Sequence, residues 1–114
     1  MKYRVVLYEQ LKDDVRRNAR WWSANHSHEQ AERWFHFVFD ALEKLAEFPE
    51  SHPLAWENEL VDFELRELLI GLNARPGYRA IFTIQSNDVH VLTLRAGEED
   101  RLTPQQLPPL QSDE

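Results

Sequence analysis

Apolar and polar positions divide this chain into segments of two periods. Lys2 to Tyr8 (KYRVVLY) is β-branched and aromatic with no breaker, which predicts a short strand. Tyr3, Val5 and Leu7 share one face and Arg4, Val6 and Tyr8 the other, a pattern that suits cover on both sides. From Glu9 to Ala24 the period changes. Leu11, Val15, Ala19 and Trp22 fall on one helical stripe, opposite Asp13, Arg16, Arg17 and Arg20. Asn25 to Ser27 interrupts this helix, and Ser27 followed by Gln30 fits a capping box that opens a second one. Ala31, Phe35, Val38, Leu42 and Leu45 carry its stripe, widened by Trp34, Phe39 and Ala46. It is expected to stop at Phe48-Pro49, because the residue before a proline is driven out of the helical region.

The remainder reads differently. Glu50 to Phe63 has prolines, many acids and no sustained period, so it predicts a loop with Trp56 as its anchor. Glu64 to Leu72 alternates loosely, and NARPG at 73–77 marks a turn. Tyr78–Gln85 and Val89–Arg95 flank Ser86-Asn87-Asp88 as strand, turn and strand. The order is strand, helix, helix, loop, three strands. This predicts an α+β domain: an antiparallel three-strand meander, joined by the first strand, with a helical hairpin packed on one face. The domain is expected to span 1–103, and the proline-rich stretch 104–114 to be an extended or mobile tail ordered only against a partner.

Composition narrows the classes. The 114 residues include four Trp and six Phe, enough apolar material for one core. No cysteine is present, which excludes a disulfide scaffold and a thiol nucleophile. No apolar run approaches the length of a membrane span, and MKYRVVLYEQLKDD becomes charged too early for a signal peptide, so a cytoplasmic protein is expected. Thirteen basic against twenty acidic residues give a net charge of −7, which argues against direct DNA binding. Nine of those acids lie between Asp40 and Glu67 beside only Lys44 and Arg66. That stretch reads either as a solvated surface or as a receiver for a basic partner segment.

Candidate chemistry is sparse. His28, Glu32 and His36 recur every four residues on one helical face, a spacing that could hold zinc, but no pattern of supporting residues accompanies it and the three read as a polar solvent-facing stripe, so no metal is expected. Arg66, Arg75, Arg79 and Arg95 fall on or beside the predicted strands, either as an anion site or as partners of Glu64, Glu67 and Glu98. His90 could move a proton near neutral pH. There is no nucleophile elbow, and three glycines are too few for a phosphate-cradling loop or a nucleotide fingerprint, so no cofactor is expected.

The strand–helix–helix–three-strand order resembles the RelE/ParE superfamily of bacterial toxin–antitoxin toxins. ALEKLAEFPESHP is similar to the family's leucine-rich helix ending at a proline, and LRELLIG, GYRAIFTI and VHVLTLRAGEEDRL resemble its later strands in order. The likeness covers residues 2–103. It implies a plasmid-stabilisation type of toxin, masked by an antitoxin whose C-terminal segment wraps helices and sheet. RelE-like members cleave messenger RNA on the ribosome; ParE-like members block DNA gyrase. The ribonuclease branch uses lysines on or after the second strand, an arginine on the third, and an arginine and tyrosine near the C-terminus. Here Arg79 matches, but Ile70 and Leu72 stand at the lysine positions, Glu98, Glu99 and Asp100 follow Gly97, and no tyrosine follows Tyr78. The residues are therefore more ParE-like, and binding through Trp21, Trp22, Trp34, Arg66 and Arg75 is expected. The alternatives are a ribosome-dependent endoribonuclease using Arg79, His90 and Arg95, and a degenerate, non-toxic interaction module.

Overall fold

The computed structural model describes residues 2–71, 77–96 and 101–111. Its elements are β1 (Arg4–Leu7), α1 (Glu9–Asn25), α2 (His28–Glu43), β2 (Arg66–Ile70), β3 (Tyr78–Gln85) and β4 (Asp88–Ala96). The sheet order is β1-β4-β3-β2. β2, β3 and β4 form the expected antiparallel meander, and β1 pairs parallel to β4. The fold is α+β. Asp88, read as part of the turn, is the first residue of β4, where it takes a two-pronged bond from Arg4 at 3.1 and 2.6 Å and so fixes the β1 register.

Ser27 caps α2 by accepting the Gln30 amide at 3.0 Å. Only half of the capping box forms, because the Gln30 side chain accepts from the Ser27 hydroxyl at 3.4 Å instead of reaching its backbone. The helix ends at Glu43, short of the expected Phe48, and tightens into a 3-10 turn over Lys44–Ala46. Its buried stripe is Ala31, Trp34, Val38 and Leu42, continued by Leu45. Phe35, assigned to that stripe from sequence, is instead exposed, since the sheet lies on the Trp34 side of the helix.

Two cores sandwich the sheet. Leu11 and Val15 of α1 and Trp34, Val38 and Leu42 of α2 pack on Ile70, Tyr78, Ala80, Phe82, Val89, Val91 and Leu94. On the opposite face Tyr8, Ala55, Leu65, Ile81, Leu92 and Leu102 form a second cluster, joined by Val61, Phe63, Leu107 and Leu110. Two stretches without long helices build this roof. Residues 49–65 carry 3-10 turns at Pro49–Ser51 and Trp56–Leu60 in place of a plain loop. Trp56 does not anchor them. It is 49% exposed, with the Arg101 guanidinium 4.6 Å from its ring centroid, and its neighbour Glu57 is the buried residue. The proline-rich tail lies on the chain's own sheet over its described part: Gln10 donates to the Gln106 carbonyl at 2.7 Å and the Gln111 amide to the Tyr8 hydroxyl at 2.7 Å.

One irregularity ties helix to sheet. The β3–β4 ladder shifts between Ile81 and Phe82, which face Thr93 and Val91, so Leu92 is an extra residue in β4. Asp14 of α1 satisfies the donors this bulge leaves free, accepting from the Thr93 hydroxyl at 2.6 Å and the Leu94 amide at 2.9 Å. A carboxylate inside a helix–sheet interface is thus fully engaged, with Arg17 3.1 Å from its other oxygen.

Candidate interaction site

The free end of the helical hairpin carries an aromatic column that rises from the core. Tyr78 lies 5.1 Å from Trp34, Trp34 stacks at 6.5 Å on Trp22, and Trp22 meets Trp21 edge-on at 5.5 Å, all between ring centroids. The Trp22 indole N–H donates to the Tyr78 hydroxyl at 3.1 Å, and the His26 ring lies 4.6 Å from Trp22. Burial falls along the column: Tyr78 and Trp34 are core residues, Trp22 is partly covered, and Trp21 is 42% exposed. Trp34, expected at the interaction surface, is therefore a core side chain that supports the other two. Beside Trp21 and Trp22 in sequence, a shallow groove of about 440 Å³ runs between α1 and α2, with Ala19, Ala31 and Phe35 along it and Arg20 and Glu32 at its polar margin. Rigid aromatic and apolar groups held on a packed scaffold are the composition of a protein-docking surface.

The same groove holds His28 and Glu32 of the suggested zinc triad. His28 Nδ1 lies 3.0 Å from the Ser23 hydroxyl. No group of three histidines, cysteines or carboxylates that could hold a metal occurs among the described residues.

Ladder register places Arg79, His90 and Arg95 on the face away from the helices, with Arg79 opposite Arg95 and His90 opposite Thr83. Arg79 is taken up internally. It donates to both oxygens of Glu57, at 3.1 and 2.9 Å, and to Glu67 at 2.9 Å. Glu57 is only 1% exposed and also accepts the Leu102 amide at 2.9 Å. Burial would push its carboxyl up, but the Arg79 bonds and the Leu102 amide outweigh that and hold it down at about 2. The Arg79 guanidinium is correspondingly raised by the Glu57 hydrogen bonds against its own burial. Such a cation has little capacity left for a phosphodiester. His90 is buried, with Nδ1 2.7 Å from the Tyr8 hydroxyl and Nε2 without a hydrogen-bond partner among the described residues. Arg95 is half-buried beside Arg79 in the ladder.

Arg66 also serves the fold. It contacts Glu64 at 2.9 Å and donates to the carbonyls of Glu50 and His52 at 3.1 and 2.6 Å, tying the 49–65 segment to β2. Its charge, together with burial, lowers the His52 pKa, burial being the larger cause. Arg75 lies outside the described residues. The Glu57–Arg79–Leu102 junction escaped sequence reasoning, since nothing in the local pattern distinguishes Glu57 from the eight other acids of its stretch.

The sequence profile of the family described as "ParE toxin of type II toxin-antitoxin system, parDE" matches residues 5–101. No curated protein matches the chain in sequence. Among solved structures, one described as "Chromosomal ParDE TA system from P. aeruginosa" superposes with a TM-score of 0.71 over 85% of this chain and 98% of that one, at 13% identity. At that identity the likeness shows the fold.

Proposed function

Since the chain belongs to the ParE toxin family, we propose that it is the toxin of a type II toxin–antitoxin pair, inhibiting a host target by binding and neutralised by a cognate antitoxin. The observation that carries the binding mode is the internal commitment of Arg79. The cation on which a ribonuclease reading depends is bonded to two carboxylates of its own chain. His90, the proton-transfer candidate, lies beneath the Tyr8 hydroxyl and the tail. Three of the four basic residues of α1 stand beside acids, Lys12 by Glu9, Arg16 by Asp13 and Arg17 by Asp14, which disfavours direct DNA binding. What stands open to a partner is the outer face of the hairpin, with Trp21 and Phe35 exposed and the partly buried Trp22 behind Trp21. No helix among the described residues is long and apolar enough to cross a membrane, in keeping with action in the cytoplasm.

Induced expression of the chain alone is expected to arrest growth, and co-expression with the adjacent small gene to restore it. Normal growth in both cases would overturn the toxin reading. In a purified supercoiling assay the protein is expected to inhibit DNA gyrase; unaffected gyrase, with cleaved message in a translation reaction, would replace that target by the ribosome.

A further inference from the structure

The outer face of the helical hairpin combines an apolar strip with two unengaged charges of opposite sign. Phe35 is 37% exposed although it lies well inside α2, and its ring meets Phe39, one turn further along, at 4.7 Å between centroids. Beside it the groove is lined by the small side chains of Ala19 and Ala31, which leave space that a large apolar group can enter. Arg20 of α1 and Glu32 of α2 line the same groove from opposite helices. The charges around them are occupied, Arg16 by Asp13, Arg17 by Asp14 and Arg33 by Glu29. Arg20 and Glu32 are both exposed, and neither takes part in an ion pair among the described residues.

Symmetry identifies the occupant. The Ser23–His28 contact at 3.0 Å and the Trp22–Trp34 stack set the register of the two antiparallel helices, and they place Arg20 and Glu32 at about the same level on the two sides of the groove. A two-fold axis parallel to the helices therefore turns each Arg20 toward the Glu32 of a second copy. The same rotation carries each Phe35 to the α1 side of the other groove, where Ala19 stands. The helices agree as wholes. α1 carries four basic and three acidic residues, α2 one basic and four acidic, and the axis sets each α1 against the other copy's α2. An unrelated partner would have to bring both signs at this spacing, whereas a second copy does so by construction.

We propose that two copies of this chain associate through the α1–α2 groove as a four-helix interface. Phe35 of each copy enters the groove of the other, and two Arg20–Glu32 pairs close the sides. In that dimer the hairpin face that the toxin reading leaves open is covered, so self-association and a partner at that face exclude each other. The dimer itself rests on the groove and its charges and does not depend on toxicity.

The test is analytical sedimentation of the intact protein across about 1 to 200 µM, repeated with Arg20→Glu, Glu32→Arg, an equal mixture of those two, and Phe35→Ser. The unaltered protein is expected to dimerise with a dissociation constant on the order of 10 µM, as suits a small interface. Arg20→Glu sets acids against acids and Glu32→Arg bases against bases, so each variant alone is expected to associate about tenfold more weakly or worse. Phe35→Ser is expected to weaken the dimer by at least about as much. Mixing Arg20→Glu with Glu32→Arg restores both pairs across one interface, and the heterodimer is expected to regain the original affinity. An ion pair closed within one chain would not recover on mixing, and recovery requires both variants to be folded. All three positions are exposed, and circular dichroism checks that each variant keeps its helices. A protein that stays monomeric over the whole range, single charge variants that associate as the original does, or a mixture no tighter than its components would each overturn the proposal. Growth arrest is not a readout here, so failure of the dimer and failure of the toxin reading are separate outcomes.

Discussion

The two faces of the sheet are stabilised by different means. Under the helices the contact is regular: residues at helical spacing on α1 and α2 meet alternate residues of β3 and β4, and nearly every buried group there is apolar. On the other face six buried side chains form a smaller cluster, roofed by 3-10 turns and an extended tail. Its order depends on polar pins: Glu57 with Arg79 and the Leu102 amide, Tyr8 with His90 and the Gln111 amide, and Arg66 with the carbonyls of Glu50 and His52. The periodic face is held by buried apolar area, whereas the pinned face concentrates its stability in a few bonds whose loss strands a buried polar group.

Substitutions on each side make this contrast measurable. Phe82→Ala, which empties the centre of the helix-covered core, is expected to cost about 3–5 kcal/mol in urea unfolding. A loss below about 1 kcal/mol would mean that the regular face is not the main reservoir of stability. Glu57→Gln is expected to come next, at roughly 3 kcal/mol, since it leaves the buried Arg79 poorly matched. The same residue sets an acid limit. Its folded pKa of about 2 lies below the ordinary 4.5, so its contribution is complete above pH 4.5, declines as pH falls toward 2 and is absent below both values. Stability measured from pH 5 to 2 should therefore fall less steeply in the Glu57→Gln protein than in the wild type. Parallel curves would remove Glu57 as the acid-sensitive pin.

Smaller effects separate pin from surface. Tyr8→Phe removes the hydroxyl that joins His90 to the tail and is expected to cost about 1–2 kcal/mol, with faster hydrogen exchange at the Gln111 amide as its local mark. Trp21→Ala, at the exposed end of the aromatic column, should change stability by no more than about 0.5 kcal/mol. It should nevertheless weaken antitoxin or target binding, measured by calorimetry. Unchanged affinity would move the docking surface elsewhere.

The contrast also explains what could be read from the residues. The helix face follows from period: the β3 and β4 runs, the Leu11–Val15 stripe and Val38–Leu42–Leu45 all sit where alternation or helical spacing puts them. The exchange of Phe35 for Trp34 marks the limit of that reading, since a stripe wide enough for both leaves the tertiary partner to decide. The pins have no such signature. Asp14 and Thr93, Tyr8 and His90, and Glu57 and Arg79 are separated by 79, 82 and 22 positions, and each looks like an ordinary surface group until the chain is folded. The arginines were legible as a choice between anion site and ion pairs, and for Arg66 and Arg79 the fold takes the second.

The parallel seat of β1 against β4 has a consequence for the order of assembly. Arg4 and Asp88 are 84 positions apart, so β1 has no strand to pair with until β4 has been made. Bringing such distant segments together carries a large loop-closure entropy, whereas the helical hairpin needs only local contacts. On that ground the helical hairpin is expected to form before β1 takes its place beside β4.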